Sequence, residues 1–183
     1  MSRIPVRAHT VSCPYWIIPY ALHDSDHGRV MELLRQSAAI PVREPDRQQI
    51  CATDFFINPV LARPYESWLR DRLMAYVSQA LEPMGLEVSL LNYWFQSYEQ
   101  GDYHEWHDHR GDCNYSMVYY LDLPQGALSL EFRQSHSLDT VQTRAHSGDI
   151  VIFPSTWQHR SRINTAARAK TVIAANLALE IKD

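Results

Sequence analysis

The chain has 183 residues, 45% of them hydrophobic and 21% charged, which describes an ordinary soluble globular protein with room for one sizeable core. The 17 basic and 21 acidic residues give a formal net charge of −4, so there is no basic footprint for nucleic acid and no long run of like charge. No apolar stretch approaches the roughly 20 residues needed to span a bilayer.

In chain order, Met1 to Arg7 lacks the apolar core of a signal peptide, and Cys13, Cys51 and Cys113 are an odd set without CxxC spacing. A reducing cytoplasm is therefore the expected location. Tyr15 to Tyr20 reads as a short strand. Asp24 or Ser25 can cap a helix that carries Val30, Met31, Leu33 and Leu34 at helical spacing. A second helical pattern opens near Pro64, carries Tyr65, Trp68, Leu69, Leu73, Tyr76, Val77 and Leu81, and stops at Pro83 and Gly85.

After Gly85 the pattern changes to strand. Leu86–Tyr98, Tyr103–His109, Tyr115–Asp122, Ala127–Arg133, Leu138–Ala145, Asp149–Pro154 and Lys170–Leu179 are rich in β-branched or aromatic residues and separated by turn signals. The expected fold is mainly β with N-terminal helices: a double-stranded β-helix, the jelly-roll or cupin-like barrel. One domain spans 1–183, with a strand and supporting helices in 1–85 and the barrel core in 86–183.

Chemistry concentrates at the histidines. His107 and His109 are two apart, so in a strand both imidazoles aim the same way. His159 follows the apolar run Gly148-Asp-Ile-Val-Ile-Phe-Pro154. Three neutral nitrogen donors with open coordination positions describe a catalytic rather than a structural metal site, although imidazole alone does not choose among iron, zinc, copper and nickel. The bland alternative is surface histidines without a metal. His104 falls on the opposite parity from His107 and is set aside, His136 and His146 sit in or beside apparent turns, and Asp112 could swing in with a carboxylate.

A second group faces an acidic ligand. Lys170 opens the last strand, with Val172, Ala174 and Asn176 on its face, and a charge buried there needs a partner. A ligand carboxylate would neutralise it, and Tyr120 could add its hydroxyl. Arg168, more simply read as a solvated strand start, and Asn176 complete the candidate contacts. Tyr93, Trp94, Tyr103, Trp106 and Trp157 could line an aromatic pocket, though aromatics in a β-rich domain more often pack in the core.

From Tyr98 to Leu177 the sequence resembles the Fe(II)/2-oxoglutarate-dependent oxygenases, in particular a prolyl-hydroxylase-like subgroup with H-x-H in place of H-x-D. Tyr98, Gly101, His107 and His109 take the places of that group's Tyr, Gly and H-x-D residues. Tyr119-Tyr120-Leu121-Asp122 resembles its Tyr-Tyr-Leu-Asn strand, and Gly126-Ala-Leu128 its Gly-Gly-x-Leu strand. The resemblance implies iron held by His107, His109 and His159, 2-oxoglutarate gripped by Lys170 and Tyr120, O2 as oxidant, and hydroxylation of a small molecule or an amino-acid or peptide side chain. A homodimer is possible; nucleic acid and membrane are not expected partners. The sequence departs from the pattern at His109, where the usual residue is aspartate. The competing reading is a three-histidine cupin, a metalloenzyme or metal-dependent sensor that uses no 2-oxoglutarate. Gly101-x5-His107-x-His109 and Gly148-x5-Pro154-x4-His159 match parts of the two cupin motifs, without the expected glutamate near Cys113 and with Asn164 one residue late. Both readings share one fold, and only the oxygenase reading needs Lys170 and Tyr120.

Overall fold

The computed structural model describes residues 14–43, 49–58, 60–61, 63–133 and 139–182; Cys13 and His136 lie outside them. Strand β1 (Trp16–Pro19) leads into helix α1 (His23–Gln36), then β2 (Ile40–Val42) and β3 (Gln49–Thr53). A continuous helical stretch follows, with α2 (Glu66–Trp68) and α3 (Ala75–Leu81) joined by a π-helical segment (Leu69–Met74). It closes on a 3-10 turn (Glu82–Met84), and Gly85, at φ 69°, supplies the left-handed residue that ends it. The remaining strands are β4 (Leu86–Tyr98), β5 (Tyr103–His107), β6 (Tyr115–Asp122), β7 (Glu131–Arg133), β8 (Thr140–Gln142), β9 (Asp149–Pro154), β10 (Gln158–Ser161) and β11 (Lys170–Ile181).

All pairings are antiparallel, in the order β1-β9-β6-β11-β4-β3-β5-β10-β7-β8, with β2 on the other side of β3. The sheet curls at β3, which pairs β4 through Ala52 and Thr53 and β5 through Gln49 and Ile50. The result is a jelly-roll half-barrel: a large sheet (β1, β9, β6, β11, β4) facing a small one (β5, β10, β7, β8). Among the described residues, no helix is long and apolar enough to cross a membrane.

The central strands of the large sheet read as unbroken apolar runs because both of their faces are covered. On the outer face Tyr93, Phe95, Met117, Tyr119, Ile150, Ile152, Ile173 and Ala175 pack against Val30, Leu33, Trp68, Leu73 and Val77 of the helices. On the inner face Trp94, Tyr98, Val118, Tyr120, Val151, Phe153, Val172 and Ala174 meet Leu130 and Phe132 of the small-sheet side. Buried polar groups fasten the helices to the sheet. Asp26 accepts from Tyr20 Oη (2.6 Å), Trp68 Nε1 (3.0 Å) and Arg72 Nε (2.9 Å). Asp54 accepts from Tyr65 Oη (2.7 Å) and the Phe95 amide (2.8 Å).

The small sheet departs most from the sequence expectation. Ala127–Arg133 shortens to β7, and Leu138–Ala145 shortens to β8 with Leu138 outside the described residues. His159, expected in a turn after β9, sits on a strand of its own, β10. Strand β5 ends at His107, so His109 belongs to the following loop.

Candidate metal centre

Strand β5 brings His107 against His159 of β10, its Cα partner. His109 joins them from the loop, held where its amide donates to Ser155 O (2.9 Å). One nitrogen from each of His107, His109 and His159 lies within 4.8 Å of the others, and this is the one such cluster of possible metal ligands among the described residues. The expectation that H-x-H spacing would aim both imidazoles to one side holds in outcome, but by a loop rather than by a regular strand.

Backbone carbonyls orient two of the rings. His107 Nδ1 lies 2.8 Å from Glu105 O and His159 Nδ1 lies 3.1 Å from Trp157 O. Carbonyls only accept, so Nδ1 carries the proton in both rings and Nε2 is left with its lone pair for a metal. Burial keeps the rings neutral. It lowers His107 to about 4, lowers His109 below the ordinary imidazole range, and lowers His159 well below it; neighbouring imidazoles add to the effect at His107 and His159, while the Asp112 and Asp108 charges oppose it at His109. A neutral imidazole is the form that binds metal.

A cavity opens from this cluster between the two sheets. At its inner end stands Lys170, 2% exposed. Its Nζ donates to Ser161 Oγ and to Leu128 O (3.3 Å), and lies 4.7 Å from the centre of the Tyr98 ring. Among the described residues no carboxylate lines the cavity, and burial alone lowers the Lys170 ammonium to about 8. Tyr120 also lines the cavity; its hydroxyl accepts from the Leu130 amide (2.7 Å) and is also hydrogen-bonded to the Thr143 side chain. Asn176, 2% exposed, lines the far end of the same wall.

Three expectations need correction. Arg168 is outside the cavity: its side chain is 77% exposed and faces Asp122 at 3.9 Å. Asp112 stays exposed and is not one of the clustered ligands, although its amide donates to His109 O (3.2 Å) and its charge opposes the lowering of His109. His104, set aside on parity, lines the cavity and stacks on His107 at 3.7 Å and 12°. The cause is an irregularity in β5. His159 pairs with His107 and Ser161 with His104, so two residues of β5, Glu105 and Trp106, stand opposite one of β10, Arg160. The extra residue is a β-bulge, and it turns His104 to the face of His107. Ser161 and Ser116 also line the cavity; strand alternation already puts Ser116 on the face of Tyr120, whereas nothing in the sequence marks Ser161, which becomes polar lining only through its strand partner. Of the candidate aromatics, Trp94 lines the cavity. Tyr93 belongs to the outer core, Trp157 packs on Phe132 (5.4 Å), and Trp106 lies between the guanidinium groups of Arg133 (4.4 Å) and Arg160 (4.5 Å).

No protein-family model and no curated protein sequence matches the chain. Solved structures do. A prolyl-4-hydroxylase from Pseudomonas putida is 20% identical, with a TM-score of 0.58 over 88% of this chain and 91% of that one. A 2OG-Fe(II) oxygenase family oxidoreductase from Burkholderia pseudomallei is 12% identical, with a TM-score of 0.67 over 89% and 83%. HygX from Streptomyces hygroscopicus, solved with nickel, 2-oxoglutarate and hygromycin B bound, is 14% identical, with a TM-score of 0.63 over 89% and 82%. The chain therefore has the fold of these oxygenases.

Proposed function

We propose that this chain is a non-haem Fe(II), 2-oxoglutarate-dependent oxygenase that hydroxylates a small molecule or an amino-acid or peptide side chain. The observation that carries the reading is one cavity with three convergent neutral imidazoles and a buried lysine that has no counter-charge. A buried ammonium without an anion is costly, and a dicarboxylate bound between Lys170 and the histidines relieves that cost. A three-histidine cupin without 2-oxoglutarate leaves Lys170 without a role.

The residues present suit the group. His107, His109 and His159 would hold the iron through lone-pair nitrogens already free of protons. Lys170 would bind the far carboxylate of 2-oxoglutarate by charge-assisted hydrogen bonds, with the Tyr120 hydroxyl beside it. Iron with 2-oxoglutarate and O2 supplies an oxidant strong enough to hydroxylate a C–H bond. The chain's part is orientation and exclusion of water: Val118, Phe153, Val172 and Ala174 make the cavity walls apolar, and Nδ1–H bonds to Glu105 O and Trp157 O fix two rings. His109 in place of a carboxylate makes the ligand set neutral, so more of the metal's charge must be met by the cosubstrate's own carboxylate.

Anaerobic titration of the Fe(II)-loaded protein with 2-oxoglutarate tests this. The expected result is a saturable visible charge-transfer band, lost in His107→Ala and weakened in Lys170→Ala, with succinate released on admission of O2. Stoichiometric metal without a band refutes the proposal.

A further inference from the structure

Along β11, Lys170, Val172, Ala174 and Asn176 form one wall of the cavity, with the cation at one end and the carboxamide at the other. Six residues of strand separate them by roughly 20 Å. The histidine cluster lies between. The His109 ring is 5.8 Å from that of Trp94, and Trp94 is the β4 partner of Ala174, whereas Lys170 is paired with Tyr98. Lys170 and the histidines thus bracket one part of the cavity, and Asn176 belongs to the part beyond them.

That outer part is polar but uncharged. Asn176 is 2% exposed, and its Oδ1 has no hydrogen-bond partner. Ser116, its Cα partner on β6, is 4% exposed and lines the same cavity. The Ser116 hydroxyl meets Cys113 Sγ at 3.8 Å, a weak contact. Buried carbonyl oxygens are nearly always paired, so an orphan in a ligand cavity marks a bond that a ligand completes. A carboxylate brought to this end would find no cation beside it, since Lys170 stands at the other end of the wall, and an ammonium would find no carboxylate among the described lining residues.

We propose that Asn176, with Ser116 beside it, is the specificity-determining pole for the primary substrate. That substrate presents an uncharged N–H or O–H donor, an amide or a hydroxyl, rather than a carboxylate or an ammonium. The inference rests on the oxygenase reading and reassigns Asn176 from the cosubstrate, its expected ligand, to the substrate.

Two measurements on Zn(II)-loaded protein test it. Calorimetric titration with 2-oxoglutarate should find Asn176→Leu within about twofold of wild type and Lys170→Met weaker by about tenfold or more. A loss in Asn176→Leu equal to that in Lys170→Met would make Asn176 a cosubstrate contact and overturn the proposal. Should Asn176→Leu fail to fold, Asn176→Ser is read the same way. Separately, without 2-oxoglutarate, the side-chain amide resonance of Asn176 is followed by ¹⁵N NMR with N-methylacetamide, acetate or methylammonium at about 100 mM, a range suited to such small fragments. A shift with N-methylacetamide alone supports the proposal. No shift with it, or an equal shift with either ion, overturns it. If wild type binds no 2-oxoglutarate, the oxygenase reading fails, while the fragment measurement still decides the chemistry of the pole.

Discussion

Replacing Lys170 with methionine, which keeps the chain length and removes the charge, should strengthen the metal-free fold and weaken cosubstrate binding. Burial lowers the Lys170 ammonium from its ordinary 10.5 to about 8. At about 1.36 kcal/mol per pH unit, the folded environment disfavours the charged form by about 3 kcal/mol. The unfolded chain holds this proton more tightly, so stability from this group rises with pH between about 8 and 10.5, and below 8 the penalty is present in full. Losing the bonds to Ser161 and Leu128 leaves two acceptors unpaired and returns about 1–2 kcal/mol of cost. At pH 7, Lys170→Met should therefore be more stable by about 1–2 kcal/mol in urea unfolding, and the gain should disappear between about pH 9 and 10 and reverse above it, as the shrinking charge penalty drops below the cost of the lost bonds. Charge-assisted bonds to a ligand contribute about 1.5–3 kcal/mol, so 2-oxoglutarate should bind about 10- to 150-fold more weakly. In wild type, a bound dicarboxylate favours the ammonium, so binding takes up a proton above pH 8 and affinity falls there. A variant that is less stable at pH 7 and equal in 2-oxoglutarate affinity would refute the reasoning.

Acid should act on the metal-free protein through the histidines. His107 is lowered to about 4, with His109 and His159 also lowered. The unfolded chain then binds more protons than the folded one below about 6.5, and stability is lost as pH falls from there towards 4, by up to about 1.4 kcal/mol per pH unit for each ring. Zn(II) affinity, measured by competition, should fall less steeply with pH below 7 than it does for free imidazoles, because the folded site binds competing protons less readily; a fall as steep as that of free imidazole would count against it. His104→Ala should keep one metal per chain while His107→Ala loses it, and loss in both would make His104 a ligand. Asn164 is 1% exposed, donates to Tyr98 O (2.8 Å) and Arg168 O (3.1 Å), and accepts from the Ala166 amide (3.1 Å). Asn164→Ala should cost about 2–4 kcal/mol in urea unfolding without changing metal content.

The large sheet was more fully legible in the sequence than the small one, whose β5, β7 and β8 were expected but longer and whose β10 was not expected, for a physical reason. Leu86–Tyr98, Tyr115–Asp122 and Asp149–Pro154 match their observed bounds. Tyr115–Asp122 and Asp149–Pro154 are covered on one face by helices and on the other by the barrel interior, so nearly every residue is apolar, and β4 becomes buried in the same way from Tyr93 onward. Strands β2, β3 and β10 carry no such run. Gln158-His-Arg-Ser161 is polar throughout and is a strand only because Phe132 and His107 stand on either side of His159. Pairing across long sequence separations made these elements, and local pattern does not record it.

The two parity arguments of the site divide on the same ground. For Lys170, Val172, Ala174 and Asn176, alternation put four side chains on one wall, and β11 keeps regular register with β4 from Lys170 to Asn176; the irregularity there begins only between Asn176 and Leu177. For His104 and His107, alternation put the rings on opposite faces, and the bulge in β5 reversed it. A period of two is a property of the unbroken ladder, and one inserted residue inverts every inference drawn across it. The bulge falls within the segment that delivers His107. The device that aims this ligand at His159 also lays a fourth imidazole against it, between the metal cluster and Lys170, where it shapes the space the cosubstrate would fill.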